Sequence, residues 1–147
     1  MKILGCTLVC ILLLSAPGWA VLGEYENSIA LDQQHMRAQL HQTSAQGYSV
    51  NELTTPEGKR VREFVSAKGM VFGVAWRGPT LPDLRQLLGT YFSQVQQAAQ
   101  PRRRRGGPLV IKTKDFILVS GGHMRAFHGF AYVPSLLPAG VSAEVVR

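Results

Sequence analysis

The feature that most limits what this chain can fold into is a set of short strand patterns separated by turns of only a few residues. Residues 48–54, 60–66 and 70–77 each have the length and side-chain pattern of a strand. The turns between them, at residues 56–58 and 67–69, carry Pro or Gly where turn geometry needs them. Connections this short join neighbouring antiparallel strands, so the sequence predicts a meander.

A second group of three strand patterns follows towards the carboxyl end. These patterns cover residues 109–113, 116–120 and 123–133. Gly121-Gly122 lies between the last two and has the composition of a tight hairpin turn. The sequence therefore predicts a second antiparallel meander.

A helical pattern precedes each meander. Apolar residues recur at helical spacing over residues 22–41 and again over residues 80–99. In the second helix Thr80 is the expected N-cap and Pro82 lies in the first turn. The order of helix, three strands, helix, three strands predicts a single α+β domain with two helices and two three-stranded antiparallel meanders.

The two meanders share a short similarity. Gly73-Val74-Ala75-Trp76 resembles Gly129-Phe130-Ala131-Tyr132, at an offset of 56 residues. Chance likeness of strand composition is one explanation. The other is a duplicated half-domain that forms one six-stranded antiparallel sheet with the helices on one face. Both alternatives give an α+β fold.

The amino-terminal segment has the three parts of an export signal. Lys2 is the positive start, residues 3–14 form an apolar run, and small residues follow up to Ala20. The run is shorter than the 20 or so apolar residues that a membrane-spanning helix needs. We therefore expect residues 1–20 to be a signal peptide that is cleaved between Ala20 and Val21.

Cysteine usage follows from that cleavage. Both cysteines, Cys6 and Cys10, lie in the signal, so the mature domain of residues 21–147 has none. Disulfides, thiol nucleophiles and thiolate metal sites are excluded for that domain. The domain must therefore be stabilised by its core, and a chain of this length can bury about two-thirds of its surface.

Positive charge is concentrated in one loop. The whole chain has 16 Lys and Arg against 9 Asp and Glu, and four of the arginines are consecutive, Arg102, Arg103, Arg104 and Arg105. They lie in a Pro- and Gly-rich stretch and are expected to face water. Arginine pairs well with phosphate and carboxylate, so the run predicts a binding site for an anionic polymer. A solvated loop without a partner is the alternative.

A second candidate site is the predicted hairpin at residues 120–125. If the strand begins at His123, then His123 and Arg125 lie on one strand face beside a glycine turn. His123 could act as an acid or base, and Arg125 could hold a carboxylate or phosphate. The alternative is an ordinary hairpin with polar residues on its exposed face.

The remaining polar residues give weaker signals. His128 alternates with apolar residues and is expected to be a core histidine. Trp76 is expected in the core, with the floor of a pocket as the alternative. Asp32 and Glu63 are isolated acids that would form a site only if the fold brought them together. The chain has no metal-ligand spacing, and no metal or cofactor is predicted.

Two longer segments are distinctive as sequences. The first joins Ala75-Trp76-Arg77-Gly78-Pro79 to residues 83–92, and the second joins residues 120–127 to residues 132–138. Together they resemble a bacterial family of exported proteins, domain of unknown function 2844. The resemblance covers nearly the whole mature chain and implies export from a Gram-negative cell. It implies no activity and no catalytic residue.

These observations predict a small, non-catalytic binding or structural module of the bacterial envelope, either periplasmic or secreted. Its expected partner is an anionic polymer or another exported protein, contacted through Arg102–Arg105. No aromatic residue interleaves the arginines, so specific nucleic-acid recognition is not expected. No transmembrane segment is expected after cleavage. The alternative function is a small periplasmic or secreted enzyme that uses His123 and Arg125.

Overall fold

The structure is a computed structural model that describes residues 22–99 and 107–147. The predicted signal with its Ala20–Val21 cleavage site, and the arginine run Arg102–Arg105, lie outside these residues. The described part of the chain contains one seven-stranded sheet and short helices, which confirms the α+β class. None of its helices has the length and apolar character that crossing a membrane requires.

All neighbouring strands of the sheet are antiparallel, and their spatial order is β1-β2-β3-β4-β7-β6-β5. The strands are β1 (Gln39–Ala45), β2 (Tyr48–Thr54), β3 (Arg60–Ser66), β4 (Val71–Gly78), β5 (Leu109–Lys112), β6 (Ile117–His123) and β7 (Ala126–Tyr132). The last strands of the two meanders, β4 and β7, pair at the centre. This pairing joins the two meanders into one sheet.

The first predicted helix, over residues 22–41, is wrong at both ends, because residues 22–28 form turns and a 3₁₀ turn and residues 39–41 belong to a strand. Helix α1 covers only Ile29–Met36, and Arg37 has a left-handed φ of 49° that ends it. Residues Gln39–Ala45 are instead strand β1, paired with β2 without a break in register. The first meander therefore has four strands, where three were predicted. The sheet has seven strands, where six were predicted.

The second predicted helix begins later and is interrupted. Thr80 is not its N-cap, because the Asp83 carboxylate accepts the backbone N–H groups of Arg85 and Gln86 at 2.9 and 3.2 Å. Helix α2 covers Leu84–Leu88, a 3₁₀ turn follows, and helix α3 covers Phe92–Ala99. Gly89, with a φ of 51°, lies at the break.

The second meander also turns later than predicted. Gly121-Gly122 is not the hairpin turn, since both residues belong to β6. The chain reverses at Met124-Arg125, where Arg125 takes a left-handed φ of 69°. Gly122 is required inside the strand because a Cβ there would lie 2.1 Å from the Ala126 carbonyl oxygen.

The three helices pack on one face of the sheet, which we call the helix face. Its buried side chains come from the helices and from alternate strand positions, including Leu88, Val61, Val74 and Trp76. Trp76 is 3 % exposed, so its predicted place in the core is confirmed.

The opposite face of the sheet, which we call the arginine face, is partly covered by residues 134–147. The buried side chains there include Phe64, Phe72 and Val146. Val146 packs directly over β4, since a Cβ on Gly73 would lie 2.7 Å from a Val146 methyl carbon. The carboxyl-terminal segment therefore closes one part of this face and leaves the rest open.

The internal similarity of the meanders does not extend to side-chain environment. At an offset of 56 residues Val74 corresponds to Phe130, yet Val74 is buried on the helix face and Phe130 packs on the arginine face. Since a one-residue change of register moves a side chain to the other face of a sheet, aligned residues do not occupy equivalent positions.

Candidate functional site

The open part of the arginine face contains a recess of about 580 Å³ beyond the carboxyl-terminal segment. We call this recess the arginine groove, after the arginines that line it. Its lining includes Arg60, Arg62, Arg77, Arg147, His128 and Phe130. Strands β3, β4 and β7 supply all of these except Arg147, which follows the last 3₁₀ turn.

Strand register places the charged side chains next to one another. Arg60 of β3 is directly opposite Arg77 of β4, and Arg77 is directly opposite His128 of β7. Residues opposite each other in antiparallel strands have Cβ atoms about 5 Å apart on the same face. Arg62 lies two residues along β3 from Arg60, so it points to the same face. The fold thus gathers three arginines and a histidine within two neighbouring rows.

This arrangement is electrostatically unfavourable without a partner. Like charges directly opposite each other destabilise a sheet, and Arg60 and Arg77 form such a pair. In the described ranges the side-chain ion pair is Arg147 with Glu144, at 2.7 Å, and neither Arg60 nor Arg77 takes part in one. Glu52 is the acid that lines the groove. The groove therefore has a surplus of positive charge.

Two of the arginines are held in place by other contacts. Nη2 of Arg62 donates a hydrogen bond to the Arg147 backbone oxygen at 3.2 Å, and its guanidinium lies 5.5 Å from the centre of the Phe64 ring. The Arg147 guanidinium lies 5.7 Å from the centre of the Phe130 ring. Such cation–π contacts orient the guanidinium planes. Arg60, Arg77 and His128 are exposed and face the open recess.

The chemistry of this groove suits an anion. Guanidinium groups present a planar fork of N–H donors that pairs with phosphate or carboxylate oxygens in bidentate fashion. A bound anion would also offset the repulsion between Arg60 and Arg77. Across the described residues, no three His, Cys, Asp or Glu side chains come together as a metal site would require.

A second polar cluster is buried between α1 and the helix face. Asp32 and Glu63, isolated in the sequence, meet there and are each 1 % exposed. Nε2 of Gln86 donates a hydrogen bond to Oδ1 of Asp32. In the described residues, both Glu63 carboxyl oxygens and Oδ2 of Asp32 are buried without a hydrogen-bond donor. The two acids therefore form a carboxyl pair, which requires a proton on one of them.

Burial controls the titration of this carboxyl pair. Removal from water raises the pKa of Glu63 well above its usual value, and the neighbouring Asp32 raises it further. Burial also raises the pKa of Asp32, although hydrogen bonds from Gln86 and Glu63 act in the opposite direction. Both shifts favour a protonated carboxyl within the pair. A small recess of about 290 Å³ adjoins Asp32, but the pair itself is closed to solvent.

This protonated pair predicts a definite dependence of stability on pH. Because the pKa of Glu63 is higher in the folded chain than its usual 4.5, folding takes up a proton between these two values, and stability falls as the pH rises through that window. The fall is about 1.4 kcal/mol for each pH unit. Glu63→Gln offers an amide donor to Asp32 and removes the Glu63 proton, so the free energy of unfolding is expected to fall less steeply from pH 5 to pH 8 than in the wild type, as measured by urea titrations.

The matched control for that experiment is Glu57→Gln. Glu57 is exposed, and a hydrogen bond with Thr55 lowers its pKa, so its contribution is lost only as the pH falls through that lowered pKa, below this range. The Glu57 variant should keep the wild-type slope between pH 5 and pH 8. An unchanged slope in Glu63→Gln would show that the pair carries no shared proton.

The structure does not assemble the predicted His123 and Arg125 site. His123 ends β6, and Arg125 lies in the turn that follows, so the two residues are not on one strand face. Both side chains are exposed. Nδ1 of His123 lies 3.1 Å from the backbone carbonyl oxygen of the next residue, Met124. The prediction that the two act from one face of a strand is therefore wrong.

His128 is also placed differently from its prediction. It shares a face with Phe130 and Tyr132, as the alternation indicates, but it is exposed in the arginine groove and is not a core histidine. The carboxyl-terminal segment covers Tyr132 and stops short of His128. His128 is exposed because the carboxyl-terminal segment covers only part of the arginine face, and the sequence pattern does not show where that cover ends.

Sequence reasoning missed Arg60, Arg62, Arg77 and Arg147 as candidate site residues. The spacing of Arg60 and Arg62 within a predicted strand was a usable signal, because positions i and i+2 share a face. Their meeting with Arg77 and His128 depends on the register of β3, β4 and β7, which strand patterns alone do not specify.

Comparison with known proteins yields a family and no activity. The family described as "Protein of unknown function (DUF2844)" matches residues 18–146, and the chain belongs to this family. No curated protein and no solved structure matches the chain.

Proposed function

We propose that this member of the DUF2844 family is an exported, non-catalytic module that binds a ligand carrying a phosphate or carboxylate group in the arginine groove. The observation that carries the proposal is the direct pairing of Arg60 with Arg77, and of Arg77 with His128, on an open sheet face. A fold without a ligand for this site would gain by having an acid at one of these positions.

Export is part of the same proposal. The supporting observations are the apolar run of residues 3–14 and the small residues up to Ala20. The site of action would be the periplasm or the extracellular space of a Gram-negative bacterium. The ligand would then be an anionic component of the envelope or an anionic segment of another exported protein.

The arginine run can add to this site through its position in the chain. It precedes Gly107 and Pro108, and Pro108 lies beside Gly121 at the edge of the groove. A Cβ on Gly121 would be 3.2 Å from Cβ of Pro108 and 3.7 Å from Nε2 of His128. We propose that Arg102–Arg105 attract the anion at long range while the groove supplies the contacts that hold it.

The test compares two variants of residues 21–147 in a calorimetric titration with inorganic pyrophosphate. One variant is Arg60→Gln with Arg77→Gln, and the other replaces Arg102–Arg105 by serine. The groove variant is expected to bind at least about 100-fold more weakly, since each charge-assisted hydrogen bond contributes roughly 1.5–3 kcal/mol. The loop variant is expected to bind a few-fold more weakly and to lose part of the salt dependence.

The control for both variants is Arg85→Gln. Arg85 is exposed on α2, on the helix side of the sheet, where it contacts the Phe92 ring. The Arg85→Gln variant should bind pyrophosphate as tightly as the wild type does. Unchanged binding by the groove variant, together with loss in the loop variant, would move the site from the groove to the arginine run.

A further inference from the structure

A second recess, of about 490 Å³, lies on the same arginine face towards the β5 edge of the sheet. Its lining is mostly apolar and includes Val110, Ile117, Val119, Phe130 and Tyr132. We call it the apolar groove. It shares Phe130 and Arg147 with the arginine groove, so the two recesses adjoin each other.

One row of the sheet runs through both grooves. Arg62 is opposite Ala75, which is opposite Phe130 on the next strand, and the row continues through Val119 to Val110. Neighbouring strands are about 4.8 Å apart, so the row is about 19 Å long. Arg62 begins this stretch of the row and is itself opposite Glu52 of β2, and the stretch has no charged residue from Ala75 to Val110.

The boundary between charge and apolar surface lies at Arg147 and Phe130. The Arg147 guanidinium rests 5.7 Å from the centre of the Phe130 ring. Its alkyl stem can cover apolar surface while its charged end remains in the arginine groove. Lys112 lines the apolar groove but lies on the neighbouring row, opposite Ile117.

We propose that the ligand is a single anionic amphiphile, with its headgroup in the arginine groove and its hydrocarbon chain along Phe130, Val119 and Val110. This inference rests on the proposed function, because it takes the arginine groove as the site of the headgroup. A hydrophilic polyanion would leave the apolar row without a partner, whereas a hydrocarbon chain would remove it from water.

A single molecule fits this surface better than a bilayer. The apolar side chains line a recess on a sheet face. Among them only Val110 is exposed, with 37 % of its surface accessible, and the others are at least half-buried. A surface that enters a membrane presents protruding apolar side chains to the lipid. This recess is open to solvent and instead offers a floor along which one chain can lie.

The test uses three probes in calorimetric titrations: methyl phosphate, dodecyl phosphate below its micelle concentration, and the neutral dodecyl maltoside. Dodecyl phosphate is expected to bind wild-type protein at least tenfold more tightly than methyl phosphate. Val119→Asn should weaken dodecyl phosphate by about tenfold and leave methyl phosphate unchanged. Val110→Asn, at the exposed edge, provides a second variant whose fold is not in question.

The outcomes separate this inference from the proposed function. Suppose that Arg77→Gln weakens the binding of methyl phosphate but dodecyl phosphate binds no more tightly than methyl phosphate. The arginine groove is then still an anion site, and the proposal of an amphiphilic ligand is wrong. If neither phosphate binds, both proposals fail. Equal binding of dodecyl maltoside, or binding seen only with vesicles of phosphatidylglycerol, would also overturn the amphiphile.

Discussion

Replacing Arg77 by glutamate is expected to stabilise the free protein and to abolish binding of an anion. Arg77 lies between Arg60 and His128 in one cross-strand row. The substitution turns a like-charge pair into an opposite-charge pair, which contributes about 0.2–1 kcal/mol. If Arg77 had no ligand, the same change would raise the stability or leave it unchanged and would not alter anion affinity. Higher stability together with lost anion affinity therefore identifies a binding site.

The binding effect should be the larger of the two. The variant loses the guanidinium donors and adds a repulsive charge, so we expect pyrophosphate affinity to fall by more than about 100-fold, or about 3 kcal/mol. Urea unfolding of the free protein measures the first effect and calorimetric titration the second. Arg85→Glu changes the net charge equally on the other side of the sheet and should leave binding within about twofold at physiological salt.

A fall in stability with unchanged binding would contradict this account. It would mean that Arg77 has a structural partner in the folded protein and that the anion binds elsewhere. Parallel titration of the Arg102–Arg105 serine variant would then show whether the arginine run holds the ligand.

Replacing Gly129 by alanine is expected to cause a large loss of stability. Gly129 of β7 is opposite Trp76 of β4, and the indole ring packs over it on the helix face. A Cβ at this position would lie 2.4 Å from Cζ2 of Trp76 and 2.6 Å from the Val119 carbonyl oxygen. The carbonyl belongs to the paired backbone of β6 and cannot move away cheaply. Overpacking of this kind costs roughly 3 kcal/mol or more.

The matched control is Gly107→Ala, where a Cβ would meet no atom within 4 Å. We expect this variant to differ from wild type by less than about 0.5 kcal/mol in urea unfolding. Equal stability of the two alanine variants would show that Trp76 does not pack on Gly129. Because the Trp76–Gly129 pair is next to the Arg77–His128 pair in the β4–β7 ladder, displacing it should also weaken anion binding at that row.

The parts of the fold that the sequence predicts are those in which a local pattern matches the tertiary environment. β3 and β4 alternate or are apolar throughout and end in Pro or Gly turns, and both form where expected. β1 was missed because all seven of its side chains are exposed, so it has no apolar alternation to indicate a strand. It is an edge strand that extends beyond the core and is held by backbone pairing with β2.

The second hairpin shows a different limit. Two adjacent glycines usually indicate a turn, but Gly122 is needed inside a strand because the Ala126 carbonyl oxygen approaches too closely for a Cβ, and Gly121 is tightly packed against Pro108. The turn itself uses Arg125, a residue that rarely takes a positive φ. The sequence alone does not show whether a glycine is needed because neighbouring backbone lies too close for a Cβ or because the chain turns there.

The candidate site was the least predictable part, for two physical reasons. The arginine groove arises from the register between β4 and β7, whose paired residues Arg77 and His128 are far apart in the sequence. It also depends on where residues 134–147 stop covering the arginine face. Likewise, Asp32 and Glu63 come from a helix and a strand, and only the packing of α1 on the sheet brings them together.

The most direct test of the arginine groove is nuclear magnetic resonance of residues 21–147 labelled with nitrogen-15, including the arginine side chains, during titration with pyrophosphate. We predict saturable shifts of the Arg60, Arg62 and Arg77 side-chain signals and of the His128 backbone amide, with the helix face unaffected. Shifts confined to Arg102–Arg105, or no saturable shifts at all, would contradict an anion site on the arginine face.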